Sequence, residues 1–126
     1  MFELSVRTHF SAAHRLRGYK GACARQHGHN WSVEITIRGR KLDKLGMLVD
    51  FSELKQAAQS AIARLDHCDL NKLPEFTKHN PTSELIARRL FETLAAEFDK
   101  PGRRIASVRV SETDGTSAIY RSGSRA

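Results

Sequence analysis

The segment His27-Gly28-His29 stands directly before a strict alternation of apolar and polar residues, and this arrangement constrains the chain more than any other feature. The alternation is typical of a half-buried β-strand, whose side chains point in turn to its two faces. Its apolar members are Trp31, Val33, Ile35 and Ile37. His27 and His29 share their parity, so we expect both imidazoles at the strand's entrance, on its core-facing side.

A third histidine continues the apolar face of the preceding strand. From Phe2 to Ala12 most even positions are apolar, and the same parity leads to His14 if no bulge intervenes. A hairpin of the two strands would place His14 beside the other two imidazoles. Three histidines with an open fourth position are typical of catalytic Zn²⁺, whereas structural zinc sites have four protein ligands and are rich in cysteine. The alternative is a His-Gly-His surface turn with His14 as an ordinary core histidine.

Cys23 precedes His27 with three residues between them. It is either a fourth zinc ligand that closes the site or a free thiol beside the metal. A thiol near Zn²⁺ and Arg25 would have a lowered pKa and could act as a base or nucleophile. The spacing alone does not choose between these roles.

Length and composition predict one globular domain over residues 1–126, because 126 residues with 40% hydrophobic content suffice for one core. The first residues lack a long apolar run, so we expect neither a signal peptide nor a membrane span, and a cytoplasmic protein. Cys23 and Cys68 are expected to be free thiols in that compartment. The net charge of +7 favours an anionic partner. Because the basic residues are scattered, a small phosphorylated substrate is expected rather than nucleic acid.

The remaining chain predicts two helices and then two strands. Asp50 and Glu53 resemble a capping box, and the first helix should stop near Asp66-His67. The second helix opens at Asn80-Pro81-Thr82 and ends before Lys100-Pro101-Gly102. Strands over 105–112 and 116–120 flank the turn Asp114-Gly115. The predicted class is α+β with the order β-β-α-α-β-β, a four-stranded antiparallel sheet with both helices on one face.

Three further acidic positions and one histidine carry chemical interest. Glu112 shares the apolar parity of its strand, where an unpaired carboxylate is costly, so it needs a partner. That partner is either a guanidine-like edge of a ligand ring or one of the chain's arginines. Asp66 and His67 suggest a catalytic pair in which the carboxylate orients the imidazole as a base. The alternative is an ordinary histidine at a helix C-terminus, where the helix dipole favours it. Glu84, like Asp50, stands where capping carboxylates belong.

Several blocks of the sequence resemble the 6-pyruvoyltetrahydropterin synthase and 6-carboxytetrahydropterin synthase family. They occur in family order over nearly the whole chain: 10–16 with Cys23 and His27-Gly28-His29, 49–55, Leu65-Asp66-His67 with Leu70-Asn71, 80–84, and Val110-Ser111-Glu112-Thr113. The resemblance implies the tunnelling fold, in which subunits join their sheets into a trimeric barrel and two trimers stack into a homohexamer. No membrane or nucleic-acid partner is implied.

The resemblance also implies roles for the candidate residues. Zinc held by His14, His27 and His29 would bind the side-chain hydroxyls of 7,8-dihydroneopterin triphosphate. Cys23, with His67 and Asp66, would form the proton-transfer set, and Glu112 would anchor the pterin ring. Arg15, Arg17 or Lys20 would hold the triphosphate. No role is assigned to His9, His79 or Cys68.

The short spacing between Cys23 and His27 resembles the carboxytetrahydropterin synthases, which serve queuosine and other 7-deazapurine synthesis. We therefore expect 6-carboxy-5,6,7,8-tetrahydropterin, acetaldehyde and triphosphate as products. The enzymatic alternative is the 6-pyruvoyl product, formed without side-chain cleavage. A non-catalytic alternative is a zinc-stabilised RNA-binding module, which would show tight, salt-dependent nucleic-acid binding.

Overall fold

Four long strands and two helices follow one another in the predicted order. The computed structural model of the chain describes residues 1–21 and 24–123. Its elements are β1 Phe2–His14, β2 His27–Gly39, α1 Phe51–Ile62, β3 Cys68–Asp69, α2 Ser83–Phe98, β4 Arg103–Thr113 and β5 Thr116–Arg121. Two short 3₁₀ helices, Leu70–Lys72 and Pro74–Phe76, lie between β3 and α2.

The strands form one sheet in the order β3-β1-β2-β4-β5. The four long strands pair antiparallel, as predicted. The fifth strand, β3, was not predicted: it has only two residues and runs parallel to β1, so the sheet is mixed. Two residues are too short to show the alternation by which the other strands were found. The predicted α+β tunnelling-type fold is otherwise confirmed.

The apolar and polar residues that alternate in the sequence lie on opposite faces of the sheet. Trp31, Val33, Ile35 and Ile37 are fully buried, whereas the residues between them are partly exposed. The apolar faces of α1 and α2 pack into the same core as these side chains. Both helices therefore cover one face of the sheet, and the opposite face is polar. Neither helix, nor any other within the described ranges, has the length and apolarity needed to cross a membrane.

The helix ends differ in part from the prediction. The Asp50 side chain caps α1 by accepting from the backbone N–H of Ser52, as expected. Thr82, not Glu84, caps α2, because its hydroxyl accepts from the N–H of Leu85 while Glu84 lies exposed in the first turn.

The end of α1 was also predicted too late. The helix stops at Ile62 rather than near Asp66-His67, and residues 63–67 form turns instead. His67 has a φ of 56°, in the left-handed region that non-glycine residues rarely adopt. This residue ends the turns and directs the chain back along β1, where β3 begins.

Candidate metal centre and active site

The hairpin of β1 and β2 brings His14, His27 and His29 together. In its antiparallel register His14 lies opposite His27, and Ala12 lies opposite His29. The ring centroid of His14 lies 4.7 Å from that of His27 and 5.5 Å from that of His29. No bulge interrupts the register between these strands, so the parity argument holds up to the last residue of β1.

Backbone carbonyls fix the tautomers of two of these rings. Nδ1 of His14 lies 2.8 Å from the carbonyl oxygen of Pro81, and Nδ1 of His27 lies 2.7 Å from that of Arg25. A carbonyl can only accept, so each Nδ1 carries the proton and each Nε2 has a free lone pair when the ring is neutral. This is the carbonyl–imidazole arrangement that supports histidine ligands in metal sites.

The burial of His14 further favours its neutral form. Its side chain is 1% exposed, and burial lowers the pKa of His14 below its ordinary value. Trp31 lies beneath the rings, with its centroid 4.8 Å from His14 and its indole N–H donating to the carbonyl of Ala12. The ring of His14 is therefore fixed, uncharged and ready to ligate.

Glu112 reaches the same place from β4. The pairing of β4 with β5 shifts register between Ser111 and Thr113, so Glu112 is the extra residue of a bulge, a feature that redirects side chains beside active sites. Its two carboxylate oxygens lie 3.4 Å from Nε2 of His29 and 3.8 Å from Nε2 of His14. The hydroxyl of Ser83, in the first turn of α2, donates to this carboxylate at 3.0 Å. Within the described residues Glu112 therefore has one hydrogen-bond donor, the hydroxyl of Ser83, and no arginine, while two imidazole nitrogens lie beside it.

The four side chains fit a zinc ion. One donor atom from each of His14, His27, His29 and Glu112 lies within 4.8 Å of the others. Zinc bonds of 2.0–2.2 Å in a tetrahedron separate two ligand atoms by about 3.4 Å. The distance between His29 and Glu112 has this value, and Nε2 of His14 and of His29 are buried with no hydrogen-bond partner among the described residues. Unpartnered buried nitrogens that converge are what a metal site requires.

Asp66 and His67 pair with each other, away from this cluster. Nδ1 of His67 lies 3.0 Å from the Asp66 carboxylate, and that carboxylate also accepts from the backbone N–H of Ser11 at 2.8 Å. The Ser11 N–H, assisted by His67, lowers the pKa of Asp66 below its ordinary value. The side chain of His67 is 81% exposed. It lines an open cleft of about 550 Å³ that Ser11, Asn30 and the imidazole-cluster residue His29 also line.

Some of the other candidate side chains already form hydrogen bonds within the chain. Cys23 lies outside the described residues. Burial raises the pKa of the Cys68 thiol, which donates to the carbonyl of Leu65, so Cys68 is no ready thiolate. The guanidinium of Arg17 donates to the carbonyls of Phe76 and His79. Arg17 is therefore held inside the chain, and of the three expected triphosphate contacts Arg15 and Lys20 remain exposed.

Sequence reasoning missed two supports of the site. The hydroxyl of Ser83 and the carbonyl of Pro81 both come from the block 80–84, which had been assigned only to the start of a helix. Every residue has a backbone carbonyl, so the sequence does not indicate which one accepts from His14. Ser83 could have been noticed only as a polar residue in the first turn of α2, where its hydroxyl was not needed as the cap.

Comparisons with known proteins agree with this geometry. The family model described as 6-pyruvoyl tetrahydropterin synthase matches residues 3–123. The 6-carboxy-5,6,7,8-tetrahydropterin synthase of Bacillus subtilis is 36% identical over 95% of this chain and 85% of its own length. The 6-pyruvoyl tetrahydrobiopterin synthase of Drosophila melanogaster is 34% identical over 94% of this chain and 78% of its own.

A solved structure supports the same relationship. The 6-pyruvoyl tetrahydropterin synthase of Caenorhabditis elegans superimposes with a TM-score of 0.85 at 29% identity, covering 97% of this chain and 96% of that one. The match spans both helices and the hairpin that carries the three imidazoles. By sequence and by fold, the chain belongs to the 6-pyruvoyl tetrahydropterin synthase family.

Proposed function

We propose that this protein is a zinc-dependent lyase that converts 7,8-dihydroneopterin triphosphate and one water to 6-carboxy-5,6,7,8-tetrahydropterin, acetaldehyde and triphosphate, in the 7-deazapurine route to queuosine. The observation that carries the proposal is the convergence of three imidazoles whose Nε2 atoms face one point. The relative from Bacillus subtilis, whose name states the carboxytetrahydropterin activity, supports the choice of reaction.

His14, His27 and His29 would hold the zinc ion, with Nδ1 of the first two fixed by carbonyls. When bound, zinc would supply Lewis acidity to the hydroxyls of the substrate side chain and so acidify the adjacent C–H bond. The chain itself provides the groups that move protons. Cys23 is proposed to take the carbon-bound proton, and His67, oriented by Asp66, to serve the opposite position of the side chain.

Glu112 is proposed to act on the substrate from within the metal centre. The family resemblance implied that this carboxylate anchors the pterin ring. Its oxygens lie 3.4 Å and 3.8 Å from two imidazole nitrogens, so a ring anchored by this carboxylate would lie beside the metal centre. Ser83 holds one of these oxygens and leaves the other free to accept.

The experiment that tests the proposal is product identification. The purified, zinc-loaded protein is incubated with 7,8-dihydroneopterin triphosphate under reducing conditions, and products are identified by mass spectrometry. We expect the 6-carboxy product together with acetaldehyde, and neither from the His29→Ala variant. The 6-pyruvoyl product without acetaldehyde would favour the second candidate, which the Drosophila relative supports. Absence of turnover with tight, salt-dependent RNA binding would refute both.

We further propose that Asp66 and His67 act in a site completed by a second copy of the chain. The pair lies outside the imidazole cluster, and His67 is too exposed for an enclosed base within one copy. A homohexamer of two trimers, as the family resemblance implies, would bring such pairs to neighbouring metal centres. Sedimentation should therefore show a hexamer, and a stable monomer at micromolar concentration would contradict this assembly.

A hybrid experiment separates the two arrangements. His29→Ala and His67→Asn are each expected to be inactive. If metal and base come from different copies, mixed oligomers formed by refolding both variants together should contain intact sites, about a quarter of the total for random mixing. If both come from one copy, no mixture regains activity, and His67 would act within its own chain.

A further inference from the structure

The connection between α1 and α2 runs alongside β1 and continues past the end of that strand. It begins where the Asp66 carboxylate accepts from Ser11, and β3 then pairs with Ala12 and Ala13. Beyond β3 the connection forms 3₁₀ turns and can no longer supply a regular ladder of backbone hydrogen bonds. In the segment after His14, side chains bond the backbone N–H and carbonyl groups of Arg15 and Arg17 instead.

Two asparagines replace the missing ladder. The Asn71 side chain accepts from the N–H of Arg15 at 2.8 Å and donates to its carbonyl at 3.0 Å. The Asn80 side chain does the same for Arg17, at 2.9 Å and 3.0 Å. Each carboxamide thus takes both backbone groups of one residue. We call these two contacts the carboxamide clamps.

The clamps require a carboxamide in particular. Only asparagine and glutamine offer a donor and an acceptor on one planar group. β1 ends at His14, and Arg17 already lies in a turn. The clamps therefore hold the segment after β1 through both backbone groups of Arg15 and of Arg17, where β3 no longer pairs with it.

Both clamps bear on His14. Arg15 follows it directly, so Asn71 fixes the backbone on its C-terminal side. Asn80 precedes Pro81, whose carbonyl accepts from Nδ1 of His14 at 2.8 Å. The Asn80 clamp thus ties the segment that carries this carbonyl to the segment that carries the ring. A shift of either segment would change the tautomer or the direction of a ring that is 1% exposed and whose Nδ1 has no other partner within residues 1–21 and 24–123.

We infer that Asn71 and Asn80 are positioning residues of the metal centre, which hold His14 in the orientation and tautomer that zinc requires. This inference rests on the zinc site of the proposed function. Supporting residues that orient metal-bound histidines typically change metal affinity by about 10- to 100-fold when they are replaced. Asn71 and Asn80 contact no ligand atom and are not themselves ligands.

The test uses Asn71→Asp and Asn80→Asp in the full-length protein. Aspartate has the same shape and keeps the bond to the backbone N–H, but it loses the donor and places an anion against the carbonyl. Gln59→Glu is the control for the same change of carboxamide to carboxylate, because Gln59 lies exposed on α1, outside the metal site and the clamps. Zinc affinity is measured by competition with a chromophoric chelator, and ligand geometry by the visible absorption of the Co²⁺-substituted protein.

We expect about 10- to 100-fold weaker zinc binding in both clamp variants, a shifted Co²⁺ spectrum, and unchanged values for Gln59→Glu. Unchanged affinity and spectrum in folded clamp variants would overturn the inference, as would a lowered unfolding temperature alone, which would make the clamps merely structural. If Asn80→Asp does not fold, Asn71→Asp decides, since its clamp is exposed. A wild-type protein that binds no zinc would instead refute the proposed function, and the inference with it.

Discussion

The left-handed backbone at His67 permits a test of whether the proposed base is held under strain. We compare His67→Gly with His67→Ala. Both variants remove the imidazole and its contact with Asp66, so the difference between them isolates the backbone at φ 56°. The left-handed conformation costs a non-glycine residue roughly 1–2 kcal/mol, whereas glycine adopts it freely.

The unfolded state offsets part of this advantage of glycine. The glycine variant has more unfolded conformations than the alanine variant, which lowers its free energy of unfolding by about 0.4–1 kcal/mol. Subtracting this from the strain leaves His67→Gly more stable than His67→Ala by about 0–1.6 kcal/mol, with a midpoint near 0.8 kcal/mol. Because the histidine side chain is 81% exposed, neither variant leaves a cavity that could obscure the comparison.

The assay is urea unfolding of both variants at one fixed protein concentration, with turnover measured on the same preparations. Fixed concentration is needed because association adds to apparent stability. We expect both variants to lose about 100-fold or more in rate, the usual weight of one acid–base group. A His67→Ala protein as stable as His67→Gly would refute the strain argument, and near-normal turnover in either would remove His67 from the mechanism.

Three further predictions concern the metal, the thiol and the pH dependence. Wild-type protein should contain one zinc per chain and His29→Ala should lose it, by metal analysis; full occupancy in that variant would contradict the site. Cys23→Ala should keep its zinc but lose about 100-fold or more in turnover; zinc lost with turnover would make Cys23 a ligand instead. Because the pKa of Asp66 is lowered on folding, its contribution to stability is present above the ordinary carboxyl value and disappears as the pH falls through the folded one. The free energies of unfolding of wild type and Asp66→Asn should therefore converge in acid. A difference between them that persists at pH 2 would show that the carboxylate charge is not responsible for it.

The sequence predicted those parts of the site that depend on strand parity. His14 ends the alternation of β1, whereas His27 and His29 precede the alternation of β2 in the same parity, and the structure brings the three together. Glu112 was predicted to face inward, and it does so, but its partners were not predictable because they depend on a bulge and on the approach of α2. The parity argument gives the direction of a side chain, not the element that packs against it.

Features that rest on single backbone groups or on two-residue elements were beyond prediction. The carbonyl of Pro81 lies 67 positions from His14 in the chain, and nothing in either residue type indicates the contact. β3 starts directly after the left-handed residue His67, a conformation that histidine seldom adopts.

The position of all three imidazoles in one hairpin has a consequence for how the protein matures. His14 and His29 are close in sequence, whereas the carbonyl that selects the tautomer of His14 arrives from much later in the chain. Local contacts of this kind form early in folding, and those distant in sequence form late. A nascent hairpin can therefore capture a metal ion before the Pro81 segment docks, when ring geometry is still loose and discrimination among divalent ions is weak. The cell's supply of metals at the time of synthesis, rather than the selectivity of the finished site, would then decide which ion the enzyme first carries.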